Sequence, residues 1–179
     1  MIRLFTALDI PAGIQDRLYD MGREISGARS VPRQQLHLTL KFIGEVPEDL
    51  LQPIREAMAA VSAAPFSLAL QGMGRFPARG PARIVWAGCR TESRLQQLFS
   101  TLEEVLEPLG TTRERRDYFP HITIARLKHP SPAALREFLE RHAAFATERF
   151  DVQCFSLYSS RLTSQGAEHK VEGCYRLAG

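Results

Sequence analysis

Two short segments of this 179-residue chain contain histidine and threonine in the same order among apolar residues. The first segment, LHLTLKF, contains His37 and Thr39, and the second, PHITIAR, contains His121 and Thr123. Imidazole has an ordinary pKa of about 6.5, so a histidine can donate or accept a proton near neutral pH. A threonine hydroxyl can donate a hydrogen bond to an oxygen on which negative charge develops. Together these groups suit acid/base chemistry at a phosphate group.

Both segments alternate polar and apolar residues, as β-strands with one buried face do. Successive side chains of a strand point to opposite faces, so we predict that His37 and Thr39 share one face, as do His121 and Thr123. The opposite faces are predicted to pack into the core through Leu36, Leu38, Leu40 and Phe42 in the first strand and Ile122 and Ile124 in the second. Each strand therefore offers an imidazole and a hydroxyl to water or a ligand.

The similarity of the two segments indicates an internal duplication, with one motif in each half of the chain. If the halves are related by pseudo-symmetry, two imidazoles can meet across a central groove on opposite sides of a bound phosphate. In-line opening of a cyclic phosphodiester needs a base that takes a proton from water and an acid that protonates the leaving ribose oxygen. The residues by themselves leave open which histidine takes which role.

Hydrophobic periodicity predicts strands and helices in alternation around these motifs. The strand patterns cover residues 2–9, 36–43, 66–70, 83–87, 119–127, 150–158 and 169–177, and the helical patterns cover residues 11–25, 47–61, 92–109 and 132–145. Gly44 is predicted to end the strand of the first motif, and Pro53 predicts a kink or a late start in the second helix. The Gly- and Pro-rich residues 72–81 predict a loop and a hinge between halves. Because hairpin-like pairs accompany the helices, we predict an α+β fold with mixed or antiparallel sheets.

The composition is typical of a globular cytoplasmic protein. With 44% hydrophobic residues the chain can bury a core without disulfides. The first apolar run, MIRLFTALDIP, is too short for a signal peptide or a membrane span. Three cysteines without CxxC spacing fit reduced thiols, and the net charge of +3 permits polyanion binding without requiring it. We expect no cofactor, no membrane association and no obligate protein partner, and hence a monomer.

Several other residues could also contribute to the site. Three further histidines lack partners at metal-ligand spacing, so we expect no metal and predict surface positions for His129, His142 and His169. A run of arginines just before the second motif could steer an RNA backbone toward the groove, although a solvated loop is the favoured interpretation. These arginines are Arg113, Arg115 and Arg116. Core packing is favoured over base stacking for Phe76, Trp86, Tyr118 and Phe119. Lys41 is predicted on the face of His37, where it either touches phosphate or caps the strand, and it is left out of the site.

The paired motifs HLTL and HITI resemble the signatures of the 2H phosphoesterase superfamily. Three longer stretches, RLFTALDIP, FPARGPARIVWAG and LYSSRLTSQGAEHKVEGCYRL, resemble bacterial and archaeal RNA 2′,3′-cyclic phosphodiesterases, which are also called 2′–5′ RNA ligases. The resemblance implies a single domain over residues 1–179, made of two pseudo-symmetric lobes that each contain a mainly antiparallel sheet and helices. The active-site groove is expected between the lobes. The substrates implied are RNA ends or small cyclic nucleotides.

The resemblance also implies a role for each candidate residue. Hydrolysis of a 2′,3′-cyclic phosphate to a 2′-phosphomonoester is expected, with His37 as proton donor and His121 as proton acceptor. Thr39, Thr123 and Arg126 match the phosphate-binding positions of the family. Strict alternation, however, turns Arg126 away from His121, so either the strand ends or bulges near Ala125 or this arginine is peripheral.

Three alternative functions remain at the level of sequence. The same groups could join RNA ends through a 2′,5′ linkage, or cleave 2′,5′-linked oligonucleotides. A non-catalytic module that binds RNA or nucleotides is the third alternative, and its mark would be tight binding without turnover.

Overall fold

The computed structural model describes residues 1–128, 131–164 and 166–178. The strands are Ile2–Asp9 (β1), Ala28–Ser30 (β2), His37–Val46 (β3), Phe66–Leu68 (β4), Leu70–Phe76 (β5), Ile84–Cys89 (β6), His121–Leu127 (β7), Phe150–Val152 (β8), Cys154–Thr163 (β9) and Gly166–Arg176 (β10). The helices are Ala12–Arg23 (α1), Leu51–Ala59 (α2), Ser93–Leu106 (α3) and Pro132–Arg141 (α4). The strands and helices predicted from periodicity are thus found, with shifted ends.

Two four-stranded sheets carry the two motifs. One sheet has the order β10-β9-β1-β3 and contains the first motif, and the other has the order β2-β7-β6-β5 and contains the second. Strands β4 and β8 form a separate pair. All the paired strands are antiparallel, so the predicted α+β class is confirmed. Each sheet combines strands from distant parts of the chain, since β9 and β10 join β1, whereas β2 joins β7.

The two sheets and the helices share one hydrophobic core. Leu8 and Leu38 of the first sheet and Val85 and Ile122 of the second are completely buried in it. Helix α1 lies close against β7, because a Cβ atom at Gly22 would approach the carbonyl oxygen of Ile124 to 2.6 Å. Burying these apolar faces together fixes the position of one sheet against the other.

The four helices are short, and α3 has 14 residues. None of the helices in the described ranges is long and apolar enough to cross a membrane. The predicted late start of the second helix is confirmed, since α2 begins at Leu51 and holds Pro53 in its first turn. Proline is tolerated there because the first helical N–H groups have no partner within the helix.

The hinge predicted at residues 72–81 is wrong. Residues up to Phe76 belong to β5, which pairs with β6 through Met73 opposite Ala87 and Arg75 opposite Val85. Gly74 is needed for packing, because a Cβ atom at this position would lie 2.2 Å from the ring of Trp86. Gly74 therefore reflects close contact within a hairpin, while Gly72 and Gly80 have positive φ angles of 76° and 78°.

The strand of the first motif also continues further than predicted. Gly44 does not end β3, which extends to Val46. The pairing of β1 with β3 shifts in register at this point, and Gly44 has a φ of 91°. A glycine accommodates this positive φ without strain, so the bulge bends the strand without terminating it.

Candidate active site

The strand of the first motif contains a bulge directly after the threonine. Along β1, Thr6 pairs with Lys41 but the next residue, Ala7, pairs with Thr39, so Leu40 is an extra residue in β3. His37 and Thr39 are partly exposed, as predicted, while Leu38 and Leu40 are buried. Beyond the bulge the alternation is reversed. Lys41 is therefore buried, and the side chain of Phe42 points outward.

Two predictions about this strand are wrong because of the bulge. Phe42 was predicted to lie in the core, but it is 68% exposed. Lys41 was predicted beside His37, but it is buried and its Nζ lies 2.7 Å from Oε1 of Glu103 and 2.9 Å from the carbonyl oxygen of Thr112. This lysine neither caps an exposed strand end nor is available to a ligand.

The strand of the second motif has the same bulge at the same position. Val85 pairs with Ala125 and the next residue, Trp86, pairs with Thr123, so Ile124 is the extra residue in β7. The sequence of buried and exposed residues over His121–Leu127 is identical to that over the first seven residues of β3. The bulge turns Arg126 back to the face of His121. This is the arrangement that the sequence required if Arg126 was to reach the site.

All five predicted site residues line one cavity of about 580 Å³ between the two sheets. They are His37, Thr39, His121, Thr123 and Arg126. The cavity is also lined by Gln35, Arg29, Phe42 and His169. The structure therefore brings the two motifs together, although they lie in different sheets.

Each motif histidine is bonded to the backbone two residues before it. Nδ1 of His121 lies 2.8 Å from the carbonyl oxygen of Phe119. The imidazole of His37 is hydrogen-bonded to the backbone of Gln35, and the side chain of Gln35 donates in turn to the carbonyl oxygen of Ala167. A bond from Nδ1–H to a carbonyl fixes the tautomer, which leaves Nε2 of His121 for a ligand.

The surroundings of His37 disfavour its protonated form. Its ring stacks on the buried ring of Phe5, with the centroids 4.9 Å apart. Burial, together with repulsion from the protonated form of His169 and from Arg126, lowers the pKa of His37 to about 4 despite the opposing effects of Asp9 and of the hydrogen bond to Gln35. In the free protein His37 is therefore neutral at pH 7.

The second histidine lies among different neighbours. The rings of Phe76 and Trp86 lie 5.2 and 6.3 Å from that of His121. Burial lowers the pKa of His121, and the hydrogen bond to Phe119 works against this effect. The core packing predicted for four aromatic residues is met only in part, since Phe119 is 50% exposed and the other three are half-buried, namely Phe76, Trp86 and Tyr118.

Asp9 connects the first motif to the neighbouring strand. It is the cross-strand partner of His37, and its carboxylate accepts hydrogen bonds from the hydroxyls of Ser156 and Tyr158 on β9. Burial and the bond to Asp9 raise the pKa of Tyr158, so its hydroxyl stays protonated and donates. Asp9 is thus held in place beside the imidazole that it makes more basic.

Sequence reasoning missed His169, which was predicted to be a surface residue. It lines the cavity, and its ring centroid lies 5.5 Å from that of His37. Its Nδ1 is buried and has no hydrogen-bond partner among the residues that the structure describes. The missing signal is the position of β10, since no local pattern shows that this strand reaches the first motif.

The remaining candidates lie outside the cavity or the described residues. Arg113, Arg115 and Arg116 are exposed in the segment before β7, as a solvated loop requires. His142 bonds to Glu24 at 2.9 Å, and His129 lies outside the described residues. Within those residues, no cluster of three or more His, Cys, Asp or Glu side chains could hold a metal ion.

Comparison with known proteins gives consistent results. The family model described as the 2′-5′ RNA ligase superfamily matches residues 14–163. An RNA 2′,3′-cyclic phosphodiesterase of Archaeoglobus fulgidus is 33% identical over 172 residues, which cover 94% of this chain and 97% of that protein. One from Methanocaldococcus jannaschii is 32% identical, with 95% and 98% covered.

Solved structures share the fold over almost the whole chain. The crystal structure of TT0787 of Thermus thermophilus superimposes with a TM-score of 0.83 at 30% identity, and covers 99% of this chain and 98% of that one. That of Escherichia coli LigT complexed with 3′-AMP has a TM-score of 0.79 at 24% identity and 99% coverage of both chains. The second likeness concerns the fold alone.

Proposed function

The chain belongs to the 2′-5′ RNA ligase superfamily, and on that basis we propose that it hydrolyses RNA 2′,3′-cyclic phosphate ends to 2′-phosphomonoesters. His37 and His121 are its acid and base. The observation that carries the proposal is the presence of two His-x-Thr strands, from separate sheets, in the lining of one cavity. The names of the relatives, RNA 2′,3′-cyclic phosphodiesterases, supply the substrate class.

In the proposed reaction a water molecule attacks phosphorus in line with the bond to the ribose 3′ oxygen. One imidazole takes a proton from this water as the new P–O bond forms. The other imidazole gives a proton to the 3′ oxygen as the P–O3′ bond breaks, so the phosphate remains on the 2′ oxygen. The reaction is a hydrolysis without oxidation or reduction. At its end the base carries an extra proton and the acid lacks one, so a net transfer of one proton from the base to the acid resets the site.

The other cavity residues stabilise the phosphate during this reaction. The hydroxyls of Thr39 and Thr123 can donate to the non-bridging oxygens, on which charge must be held in the transition state. The guanidinium of Arg126 adds a positive charge and two parallel donors. These three side chains supply stabilisation, while the histidines move protons.

We assign His37 as the proton donor and His121 as the acceptor, following the family. A His37 with a pKa of about 4 carries no proton at pH 7 in the free protein. The anionic phosphate must therefore raise this pKa on binding, because a nearby negative charge favours the imidazolium. His121, bonded through Nδ1 to Phe119, offers Nε2 as the base.

An end-group assay tests the activity. An oligoribonucleotide with a 2′,3′-cyclic phosphate is incubated with the protein in EDTA, and the product is tested for 2′ or 3′ phosphate. We expect a 2′-phosphomonoester. Unchanged ends after prolonged incubation, or a 3′-phosphate product, would contradict the proposal.

The description of the family favours a second candidate, which is RNA end joining. A 5′-hydroxyl of another RNA would replace water as the nucleophile at the cyclic phosphate and give a 2′,5′ linkage. The reverse reaction would cleave 2′,5′-linked oligonucleotides. Supplying 5′-hydroxyl and cyclic-phosphate RNAs together, and separating joined from hydrolysed products, distinguishes the two. Tight binding of the cyclic end with neither product would indicate a binding module.

We further propose that the protein acts as a cytoplasmic monomer. All three cysteines are free thiols, which fits a reducing compartment. Fractionation of cells and light scattering of the purified protein test these two statements, with a cytoplasmic pool and the mass of one chain expected.

A further inference from the structure

The side chain of Tyr118 reaches from the second motif to the first. Its hydroxyl donates a hydrogen bond of 3.0 Å to the backbone carbonyl oxygen of Thr39. Tyr118 lies three residues before His121, whereas Thr39 lies 79 positions away along the chain, in the sheet of the first motif. This hydrogen bond therefore links the segment before one motif directly to the other motif, at a residue that lines the cavity.

The carbonyl group that Tyr118 contacts belongs to the bulge of the first motif strand. It lies in the peptide unit that joins Thr39 to the extra residue, Leu40. The next peptide unit is held by β1, because the N–H group of Lys41 donates to Oγ1 of Thr6 at 3.2 Å. Hydroxyl groups from two different parts of the chain thus bond to the two peptide units on either side of the extra residue. A bulge interrupts the regular ladder, so its backbone groups need partners from outside that ladder.

The position of Tyr118 is itself fixed by its neighbours. Its ring stacks on that of Phe99 in α3, with the centroids 4.3 Å apart and the planes at 5°. Burial raises the pKa of its hydroxyl, which therefore stays protonated and donates at neutral pH. The carbonyl oxygen of Phe119 lies 2.8 Å from Nδ1 of His121, and the ring of Pro120 between them fixes its own φ. One short segment thus holds the imidazole of the second motif and bonds to the backbone of the first.

We propose that Tyr118 is a positioning residue, which sets the place of the Thr39 hydroxyl relative to His121 through its bond to the Thr39 carbonyl. This inference rests on the proposed function, in which Thr39 stabilises the phosphate and His121 moves a proton. Groups of an active site must be held within about 0.5 Å of their productive positions. Tyr118 is not among the residues that line the cavity, so it acts through Thr39 and not by contact with the substrate.

A double-mutant cycle tests this role. Tyr118→Phe removes the hydroxyl and keeps the ring that stacks on Phe99, and it should lower kcat/KM on a cyclic-phosphate RNA by about 2- to 10-fold, as expected for one neutral hydrogen bond. In a Thr39→Val background the same change should lower kcat/KM by less than about twofold, because the hydroxyl that Tyr118 positions is then absent. In a Thr123→Val background the full loss should remain. Tyr175→Phe is the matched control and should leave kcat/KM unchanged, since Tyr175 also stacks on a phenylalanine but does not line the cavity.

The same cycle is also measured for the affinity of adenosine 2′-monophosphate by calorimetry, which needs no turnover. Equal losses in the two threonine backgrounds, or no loss in the wild-type background, would overturn the positioning role, because a merely structural contribution of Tyr118 does not distinguish Thr39 from Thr123. A wild type that binds the nucleotide without hydrolysing cyclic phosphates, yet shows the Thr39-dependent loss of affinity, would refute the proposed activity alone. A wild type that neither binds nor hydrolyses would overturn both.

Discussion

Strands β3 and β7 are alike in backbone and differ in chemical character at the two residues that follow the bulge. Both place a histidine and a threonine on the cavity, have one extra residue after the threonine, and then reverse their alternation. The residue after the bulge is a buried Lys41 in one strand and a buried Ala125 in the other, and the next is Phe42 or Arg126. The shared backbone sets the geometry of the histidines. The differing residues decide what else each side of the cavity contacts.

The surroundings of the two motif histidines also differ. His37 lies beside a second imidazole, that of His169, and its pKa is lowered to about 4. His121 lies among aromatic rings, and burial alone is what lowers its pKa. The two equivalent positions therefore place their imidazoles in different electrostatic surroundings. The assignment of His37 as the proton donor requires a bound phosphate to raise its pKa, because a nearby negative charge favours the imidazolium.

Removing either histidine tests the shared part of this comparison and is expected to have the largest effect. His37→Ala and His121→Ala should each lower kcat/KM on a cyclic-phosphate substrate by about 10²–10⁴-fold, because each removes one proton-transfer group. The control is His142→Ala, whose imidazole bonds Glu24 outside the cavity. Full activity in either single variant would break the proposed equivalence of the strands.

Lys41 and Ala125 occupy equivalent positions, so replacing the lysine by alanine makes the strands more alike. Lys41→Ala should nevertheless lower the free energy of unfolding by about 3–5 kcal/mol, since it leaves the buried carboxylate of Glu103 without its partner. Chemical denaturation measures this. The double variant Lys41→Met with Glu103→Leu should recover most of the lost stability. A Lys41→Ala variant as stable as the wild type would contradict the claim that Lys41 neutralises the buried carboxylate of Glu103.

Arg126 and Phe42 are the other unequal pair. Arg126→Ala should lower kcat/KM by about 10- to 100-fold, because a hydrogen bond to a charged group contributes about 1.5–3 kcal/mol. Arg113→Ala is the matched control, as this arginine is exposed and outside the cavity. If Arg113→Ala lost as much activity as Arg126→Ala, the loss would reflect the lower net positive charge of the protein and not the position of Arg126 in the cavity.

The two threonines should have similar and smaller effects. Thr39→Val and Thr123→Val each remove a neutral hydroxyl donor, so we expect kcat/KM to fall by about 2- to 10-fold in each. Thr101→Val, whose hydroxyl bonds to Gln97 within α3, serves as the control. A large effect in one variant and none in the other would show that the strands bind the phosphate unequally.

After burial, His169 is the next contributor to the lowered pKa of His37, and its removal is expected to have the smallest effect. His169→Phe keeps an aromatic ring at this position but removes the positive charge that a protonated His169 places near His37, so the pKa of His37 should rise from about 4. Titration of the His37 ring by NMR measures the midpoint. The same titration in His142→Phe should be unchanged. A midpoint that stayed the same or fell in His169→Phe would exclude the proposed influence.

Local patterns predicted the parts of the site that depend on a single strand. Alternation placed His37 with Thr39 and His121 with Thr123, and the mismatch at Arg126 was itself evidence for a bulge, which β7 contains. The same reasoning failed at Phe42, because nothing in the alternation of LHLTLKF signals an extra residue at Leu40. A bulge is visible in a sequence only when a residue with a functional role falls on the wrong face.

Contacts between distant segments could not be predicted in this way. Lys41 of β3 pairs with Glu103 of α3, which is 62 positions away. Hydrophobic periodicity describes each element separately and does not show which strand and helix residues will meet. His169 on β10 and His37 on β3 lie in the same sheet, because β10 pairs with β9, β9 with β1 and β1 with β3. The hinge at residues 72–81 was predicted from glycine and proline content, but Gly74 instead makes room for Trp86. Tertiary contacts, either between strands or between a strand and a helix, decided each of these cases.

The most direct test of the account is a crystal structure of the protein with adenosine 2′-monophosphate, the product of the proposed reaction. We predict that the phosphate lies in the cavity with the rings of His37 and His121 on opposite sides, each with a nitrogen within about 3.2 Å of a phosphate oxygen. A phosphate that contacts only one of the two histidines, or that binds outside the cavity, would contradict the two-histidine mechanism.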